Sequence, residues 1–482
     1  MNTQASTTDS GKQLPLCVDL DGTLIQSDIL IEAVFALLKQ NALTIFWLPL
    51  WLLKGKAYFK QQIADRVDLD VTLLPYNEPF LAYLREQKSQ GRLLTLATAA
   101  NIKYAERVMA YLGIFEHVLA SDAETNVSGR IKREMLIDMY GEHGFDYAGN
   151  AMVDLAIWSH SRSAILVKPE AGVRRRAEKL FTVTKLFDDN GSRYRTFVKA
   201  IRLHQWMKNL LVFVPLVMSH QALNLQLVAQ ASIAFLAFGL CASSVYLLND
   251  LLDLPADRRH PRKRKRPLAS GSLPIKQGVV MIPLLLFAAF AISLLLPALY
   301  SGVLLLYYIV TLAYSLLLKQ LALVDVLVLA GLYTIRIIAG AAATSITPSF
   351  WLLAFSMFLF YSLALVKRYS ELLPMQSATD SKIAGRGYRP VDLEGLAQAG
   401  AASGFLSVLV LALYINSTQI IGLYSHPEGI WLLCPVLLYW INRVWLLTRR
   451  GEMHDDPVVF AIRDRHSHWL ALTCIIILWA SS

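Results

Sequence analysis

Two stretches of this sequence place carboxylates at spacings suited to phosphate chemistry. The first is Asp19-Leu20-Asp21-Gly22-Thr23, which closes a short apolar run over residues 14–25, LPLCVDLDGTLI. That run reads as a buried strand. Strand alternation puts both Asp side chains on one face, and Gly22 marks a turn where the chain can re-aim them. One carboxylate can attack phosphorus while the other handles the proton. The second stretch is Tyr246–Pro274, YLLNDLLDLPADRRHPRKRKRPLASGSLP. Asn249, Asp253 and Asp257 recur every four residues, and Asp250 precedes Asp253 by three, so on a helix the polar groups can share one face. Oxygen ligands clustered in this way suit Mg²⁺, which completes its shell from water and substrate phosphates. Carboxylates at the end of an apolar span are costly and usually mark function. The basic block that follows fits a positive-inside loop or a partner for a diphosphate. Pro255 is expected to break the helix between Asp253 and Asp257, which makes Asp257 the weakest of the four assignments.

The elements that must position these groups fall into two classes. The chain has 482 residues, is 55% hydrophobic and carries a net charge of +10, with a mean hydropathy of +0.43. It is too apolar for an ordinary soluble protein and long enough for two or more domains. The basic residues sit mainly beside apolar spans, so lipid head groups and phosphate substrates explain the charge better than nucleic acid does. Cys17, Cys241, Cys434 and Cys474 are scattered, and neither a zinc site nor a disulfide framework is indicated. The polar start, MNTQASTTDSGKQ, has no apolar core, so no cleavable leader is expected and the first domain should stay in the cytosol.

Residues 1–13 read as a polar tail, 14–190 as a soluble α/β domain, 191–200 as a linker and 201–482 as a membrane domain. In the α/β part, RLLTLAT (92–98) is a strand ending in Thr98, and FDYAGNAMVD (145–154) a strand ending at Gly149-Asn150 with Asp154 beyond. Helical stretches at Phe80–Ser89 and Lys132–Tyr140 lie between them. That alternation argues a parallel sheet with its site at the carboxyl ends of the strands. Residues 25–90 read as a helical cap. Within it, NALTIFWLPLWLLK (41–54) is intensely apolar but too short and broken to span a bilayer, so it is either an interfacial segment or a buried cap core.

Beyond the linker, apolar segments lie near 209–224, 227–248, 279–298, 301–318, 322–343, 350–366, 398–423, 429–447 and 467–481. Read together they predict an all-helical bundle of about nine spans. From a cytosolic start, the connections holding Asp257–Arg266, Lys319, Lys367–Glu394 and Arg449–Arg465 then fall inside, as the positive-inside rule asks. The polar candidates gather on that face: Arg202 and Lys208 with Trp206 as an interfacial anchor, Tyr314 and Lys319, Asp325 and Arg336 within one span, Lys367 and Arg368, and Arg386 and Arg389.

The DxDGT motif and the later strand ends resemble the haloacid dehalogenase-like phosphatase superfamily over about residues 14–170. The resemblance implies a Rossmann-like α/β fold with a helical cap. It makes Asp19 the nucleophile and Asp21 the acid/base, gives Thr98 and Lys132 to the phosphoryl group, and gives Asp19, the backbone carbonyl of Asp21 and Asp154 to Mg²⁺. Where that family carries GDxxxD, this chain has Gly149-Asn150 before Asp154, so Asn150 offers the metal an oxygen without a charge. The span layout with NDxxDxxxD resembles the UbiA superfamily of membrane prenyltransferases. Within it, RLHQWMKN, YSLLLK, LVKRYSEL and GRGYRP are similar to the decaprenyl-phosphate phosphoribosyltransferase branch, over about residues 197–482.

That resemblance implies Mg²⁺-dependent transfer of a 5-phosphoribosyl group from phosphoribosyl diphosphate to a polyprenyl phosphate at the cytosolic face of the inner membrane. Asn249, Asp250, Asp253 and Asp257 would hold the metal, with Asp250 and Asp253 catalytic. Arg202, Lys208, Tyr314, Lys319, Asp325, Arg336, Lys367, Arg368, Arg386 and Arg389 would form the phosphate-binding set. The α/β domain would remove the 5-phosphate of the product. An aromatic prenyltransferase using a prenyl diphosphate is the nearer alternative, and a transporter or lipid-binding membrane protein with a regulatory α/β domain the farther one. Membrane lipids are expected partners and nucleic acid is not. An oligomer is compatible with the sequence, and the acceptor chain length is left open.

Overall fold

The computed structural model describes residues 13–188, 192–375, 387–417, 426–453 and 456–481. They form two compact units. One takes the chain through Ile201 together with Leu247–Ile282, and the other takes Arg202–Tyr246 and the chain from Pro283 onward.

The first unit is built on a parallel sheet of β1 (Leu16–Val18), β2 (Leu94–Asn101), β3 (His117–Ser121), β4 (Asp146–Gly149), β5 (Ser163–Val167) and β6 (Val183–Phe187). The strand order is β3-β2-β1-β4-β5-β6, and each neighbouring pair is parallel. Alternation splits the strands between two cores. Leu16 and Val18 pack with Leu94, Leu96, Ala148 and Ile165 on one face. Cys17 packs with Ala97, Leu119, Tyr147 and Trp158 on the other. Both faces are covered, as an all-parallel sheet requires. The expected fold class therefore holds for this half. The order reverses direction across β1, so the crevice at its carboxyl end is where such sheets bind ligands.

The insertion between β1 and β2 is helical. Asp28 caps α1 (Ile29–Gln40), its side chain accepting from Ile31 N at 3.1 Å. A 3₁₀ turn (Ala42–Phe46), α2 (Leu48–Leu53) and α3 (Lys56–Ala64) follow.

The second unit is all-helical. Among the described residues, seven helices are long and apolar enough to cross a membrane: Leu225–Leu252, Ile275–Ser293, Ala298–Leu316, Val324–Thr344, Phe350–Met375, Pro390–Ile415 and Glu428–Arg449. Two of the expected nine differ. Residues 209–224 are a 3₁₀ segment (Leu203–Phe213) followed by the short helix Val214–Met218, with Pro215 in its first turn. The last segment is the helix Arg465–Ser481, of 17 residues. Helix Val324–Thr344 runs through the bundle interior on small residues. A Cβ at Gly340 would run into the carbonyl of Val212, so glycine lets the 3₁₀ segment lie directly on that helix. Trp206, expected as an interfacial anchor, is instead buried and donates to Ser243 Oγ at 3.0 Å.

Candidate functional sites

The α/β site lies at the carboxyl ends of β1, β2 and β4. Asp19 follows β1 directly. Lys132, from the helix Arg130–Tyr140, is buried and places Nζ 2.7 Å from Asp19 Oδ1 and 3.1 Å from the Tyr147 hydroxyl. Tyr147 in turn donates to Asp154 Oδ1 at 3.2 Å. Asp154 Oδ2 accepts from the backbone N–H groups of Asn150 (2.9 Å) and Ala151 (2.8 Å). Thr98 is fully buried on β2, and its Oγ1 accepts from Ala100 N at 3.0 Å. Asp21 Oδ1 accepts from Ile29 N at 2.8 Å, which ties the second carboxylate to the start of α1. Gly22 sits at φ 79° with the Asn150 side chain where a Cβ would go, so glycine is needed both for the turn and for the approach. Asn150 Oδ1 accepts from Thr23 Oγ1 at 3.4 Å.

Burial, and then the neighbouring Asp28, push the Asp21 carboxyl well above the usual range, the direction an acid/base group needs. Burial and the charge of Asp19 raise Asp154 to about 6. Burial works against the Lys132 ammonium, but Asp19 and Asp154 outweigh it and raise its pKa. Asp19 thus faces a buried lysine held in place by three neighbours. Two carboxylates crowded with one lysine suit a divalent cation, with the amide oxygen of Asn150 as a neutral donor. Tyr147, which links Lys132 to Asp154, was not among the sequence candidates; its signal was a tyrosine inside a strand otherwise lined with small apolar groups.

One helix ends at Leu252 and another begins at Leu254, with Asp253 at the junction and Pro255 in the first turn of the second. The expected break between Asp253 and Asp257 is absent: Asp253 N donates to Asn249 O at 2.9 Å and Asp257 N to Asp253 O at 2.8 Å, so four-residue turns continue through the motif. Asp250 and Asp257 come together on Arg266, whose guanidinium lies 3.0 Å from Asp250 Oδ1 and 2.5 Å from Asp257 Oδ2. Asp253 faces Lys39 of α1, at 2.7 Å. Asp257, expected to be the weakest of the four assignments, thus shares its guanidinium partner with Asp250. Asn249 Oδ1 is buried and has no hydrogen-bond partner. Among the described residues no three His, Cys, Asp or Glu side chains gather closely enough to hold a metal by themselves. Mg²⁺ commonly uses one or two carboxylates plus substrate phosphates, so the orphaned Asn249 oxygen with the Asp250–Asp257 pair fits a diphosphate-bound ion.

Residues 247–282 are also fastened to the cap. Arg258 grips Glu32 of α1 with two bonds, 2.8 and 2.7 Å, and its Nε donates to Ala269 O at 3.1 Å. Both side chains of that ion pair are buried. Lys276 reaches Asp28 at 3.3 Å and Arg259 reaches Asp70 at 3.0 Å.

The bundle holds a third polar cluster, centred on Asp456. Its carboxylate takes Lys208 Nζ at 2.7 Å, Lys367 Nζ at 3.3 Å and the Tyr333 hydroxyl at 3.0 Å. Burial opposes its ionisation, yet Lys367 and Lys208 hold it well below the usual carboxylate range. Two ammonium groups thus share one carboxylate. Arg336 adds a third cation within an aromatic cage, 5.2 Å from the ring centroids of Phe238 and Tyr307 and 5.5 Å from that of Tyr333. Its Nε donates to Asn209 Oδ1 at 3.0 Å. Neither Asp456 nor Asn209 was a sequence candidate. The legible signal was Asp before Pro at a helix start, where Asp456 caps Pro457–Arg463.

Asp325 and Arg336, eleven residues apart on the helix Val324–Thr344, do not pair with each other. Asp325 binds Arg368 Nε at 2.5 Å and accepts from the Tyr388 hydroxyl. Arg368 is completely buried, and its other two nitrogens bond Glu371 (2.6 Å) and Tyr314 (3.0 Å). With each nitrogen engaged, Arg368 and Asp325 read as a cross-tie between helices rather than as phosphate ligands. Lys319 is half-buried in a 3₁₀ turn, Arg202 packs 5.3 Å from the Tyr246 ring centroid, and Arg389 is exposed beside Asp392. Arg386 lies outside the described residues.

The model of the UbiA prenyltransferase family matches residues 210–475. The chain belongs to the UbiA prenyltransferase family. It is an integral membrane protein of that family with an α/β domain at its amino-terminal end. An uncharacterized protein, y4nM, of Sinorhizobium fredii is 36% identical over 95% of this chain and 89% of its own length, so the likeness runs through both halves. Decaprenyl-phosphate phosphoribosyltransferase of Mycolicibacterium smegmatis is 40% identical over 39% of this chain, and the match spans 59% of that enzyme. A UbiA homolog from Archaeoglobus fulgidus, solved with GPP and Mg²⁺, aligns with 59% of this chain and 99% of its own at a TM-score of 0.45 and 15% identity.

Proposed function

We propose that the chain transfers a 5-phosphoribosyl group from phosphoribosyl diphosphate to a polyprenyl phosphate, at the cytosolic face of the membrane. The observation that carries the reading is a surplus of cations in the bundle: among the described residues, Lys208, Lys367 and Arg336 gather around one carboxylate, Asp456, and its partner Tyr333. Such a cluster suits a substrate that brings several phosphate charges into a low-dielectric interior. The likeness to a decaprenyl-phosphate phosphoribosyltransferase supports the choice of donor and acceptor.

In the reaction the bond from sugar C1 to the diphosphate oxygen breaks, and the diphosphate leaves with the electron pair. A bond from C1 to an acceptor phosphate oxygen forms. Asn249, Asp250 and Asp257, with Asp253, would hold Mg²⁺. When bound, the ion would neutralise charge developing on the leaving diphosphate. Arg266 must release Asp250 and Asp257 for them to serve as ligands, and can then pair with substrate phosphate. Lys208 and Lys367 would bind phosphate as point charges, while Asp456, itself held by the Tyr333 hydroxyl, orients both ammonium groups. The acceptor is already an anion, so positioning can suffice without a strong base.

The α/β domain would then hydrolyse the 5-phosphate of the lipid product, with Asp19 attacking phosphorus and the protonated Asp21 serving the leaving oxygen. Lys132 and Thr98 would bind the phosphoryl oxygens.

The test is purified full-length protein with Mg²⁺, a polyprenyl phosphate and radiolabelled phosphoribosyl diphosphate, the lipid being extracted and resolved by mass. A lipid gaining phosphoribose or ribose is the expected result. No labelled lipid from folded protein, at any acceptor chain length, overturns the reading.

A further inference from the structure

The segment between α1 and α3 has a surface unlike the rest of the α/β unit. Leu43, Phe46, Trp47, Leu50 and Leu53 stand exposed, Phe46 at 72% and Leu53 at 84%. Elsewhere on the α/β fold the exposed large hydrophobic residues, such as Tyr111, Met139 and Leu180, form no run of comparable length. The opposite side of the segment is apolar too: Leu48 and Trp51 pack on the core beneath the sheet. A short helix that is apolar on both sides needs a second apolar phase outside the protein.

The charges say which phase. No Asp or Glu occurs from Ala33 to Ala64, while Lys39, Lys54, Lys56 and Lys60 do. Trp47 lies at the junction of the 3₁₀ turn and α2, the amphipathic aromatic that favours the head-group layer. Location agrees. Lys39, in the last turn of α1, touches Asp253, which directly follows the membrane helix Leu225–Leu252. The apolar run begins at Ala42, three residues further on. Within this unit, α1 therefore brings the segment near the point where the chain leaves that membrane helix.

We propose that residues 42–53 lie in the bilayer interface, with Phe46, Leu50 and Leu53 in the upper acyl region and Lys54 and Lys56 among the head-group phosphates. The segment is an in-plane anchor for the cap. It holds α1, and with it the Lys39 and Glu32 contacts to residues 247–282, at a fixed height on the membrane.

Spin labels on Leu50→Cys and, separately, Leu53→Cys test this in full-length protein in nanodiscs of phosphatidylcholine and phosphatidylglycerol. Cys474 is replaced by Ala, and the other native cysteines are buried. Leu180→Cys is the water-facing control, being exposed on the helix Val173–Leu180. The ratio of collision rates with molecular oxygen to those with a water-soluble nickel chelate is expected to be several-fold higher at 50 and 53 than at 180. A ratio equal to that at 180 overturns the proposal, because the segment then faces water. Loss of access to both reagents also overturns it, because a second copy or another protein then covers the face.

Discussion

At the scale of single residues, the consequential groups are buried charges with assigned partners, and their worth lies in what is left when one partner is removed. Asp456→Asn would leave Lys208 and Lys367 facing each other in an apolar bundle. It should cost about 3–5 kcal/mol of stability, read as a fall in the thermal midpoint of detergent-solubilised protein. Lys208→Met should behave differently: the fold keeps Lys367 on Asp456, while kcat/KM for transfer falls roughly 100-fold. In the α/β domain Asp146 is the comparable case. It binds Arg92 and Arg162 and accepts from Ser163 Oγ at 2.6 Å. Burial opposes its charge, but those partners win and depress its pKa. A depressed folded-state pKa means the contribution is present above the unfolded carboxylate range and is lost as pH falls through the folded value. Asp146→Asn should therefore lower urea stability at neutral pH, and the gap between variant and parent should close on acidification.

At the scale of elements, helix Val324–Thr344 and the cap helix α1 carry the arrangement. Gly340 admits the backbone of Val212, whereas Gly302, on Ala298–Leu316, has open space where its Cβ would be. Gly340→Val should abolish recovery of folded protein. Gly302→Ala should be tolerated, stabilising its helix by about 0.5–1 kcal/mol. For α1 the expected readout is proteolytic. Glu32→Ala leaves the Arg258 guanidinium without its buried partner, at a cost of about 3–5 kcal/mol. The basic run Arg258–Arg266 should then be cut by trypsin markedly faster than in the parent, while cleavage elsewhere in the α/β domain keeps its rate. In the acidic motif the four-residue spacing continues along the main chain, and the partners come from elsewhere. Asp250 and Asp257 share Arg266, while Asp253 reaches Lys39 of α1, a pairing no local spacing encodes.

For the whole molecule, local patterns were readable and long-range pairings were not. Asp19, Thr98 and Asp154 lie where strand ends in a parallel sheet converge by topology, and Lys132, on the helix Arg130–Tyr140, was reached only through the resemblance to the haloacid dehalogenase-like superfamily. Asp456 meets Lys208 from a position 248 residues away, which no local spacing encodes. Seven of the nine expected spans are long and apolar enough to cross a membrane among the described residues; the first expected span is a 3₁₀ segment with a short helix, laid across Gly340, and the last is a helix of 17 residues. If the two proposed activities are independent, Asp19→Asn should leave phosphoribosyl transfer unchanged while phosphate release from the lipid product stops. The lipid would then accumulate at the mass of its phosphorylated form. The discontinuity of the first unit has one more consequence. Its closing segment, Leu247–Ile282, is encoded on the far side of residues 202–246, so the covalent linker is not what joins the α/β fold to that segment. A gene split within the linker and expressed as two polypeptides should yield fragments that recognise one another, with Glu32 and Arg258 completing a non-covalent splice. An affinity tag on either piece should recover both.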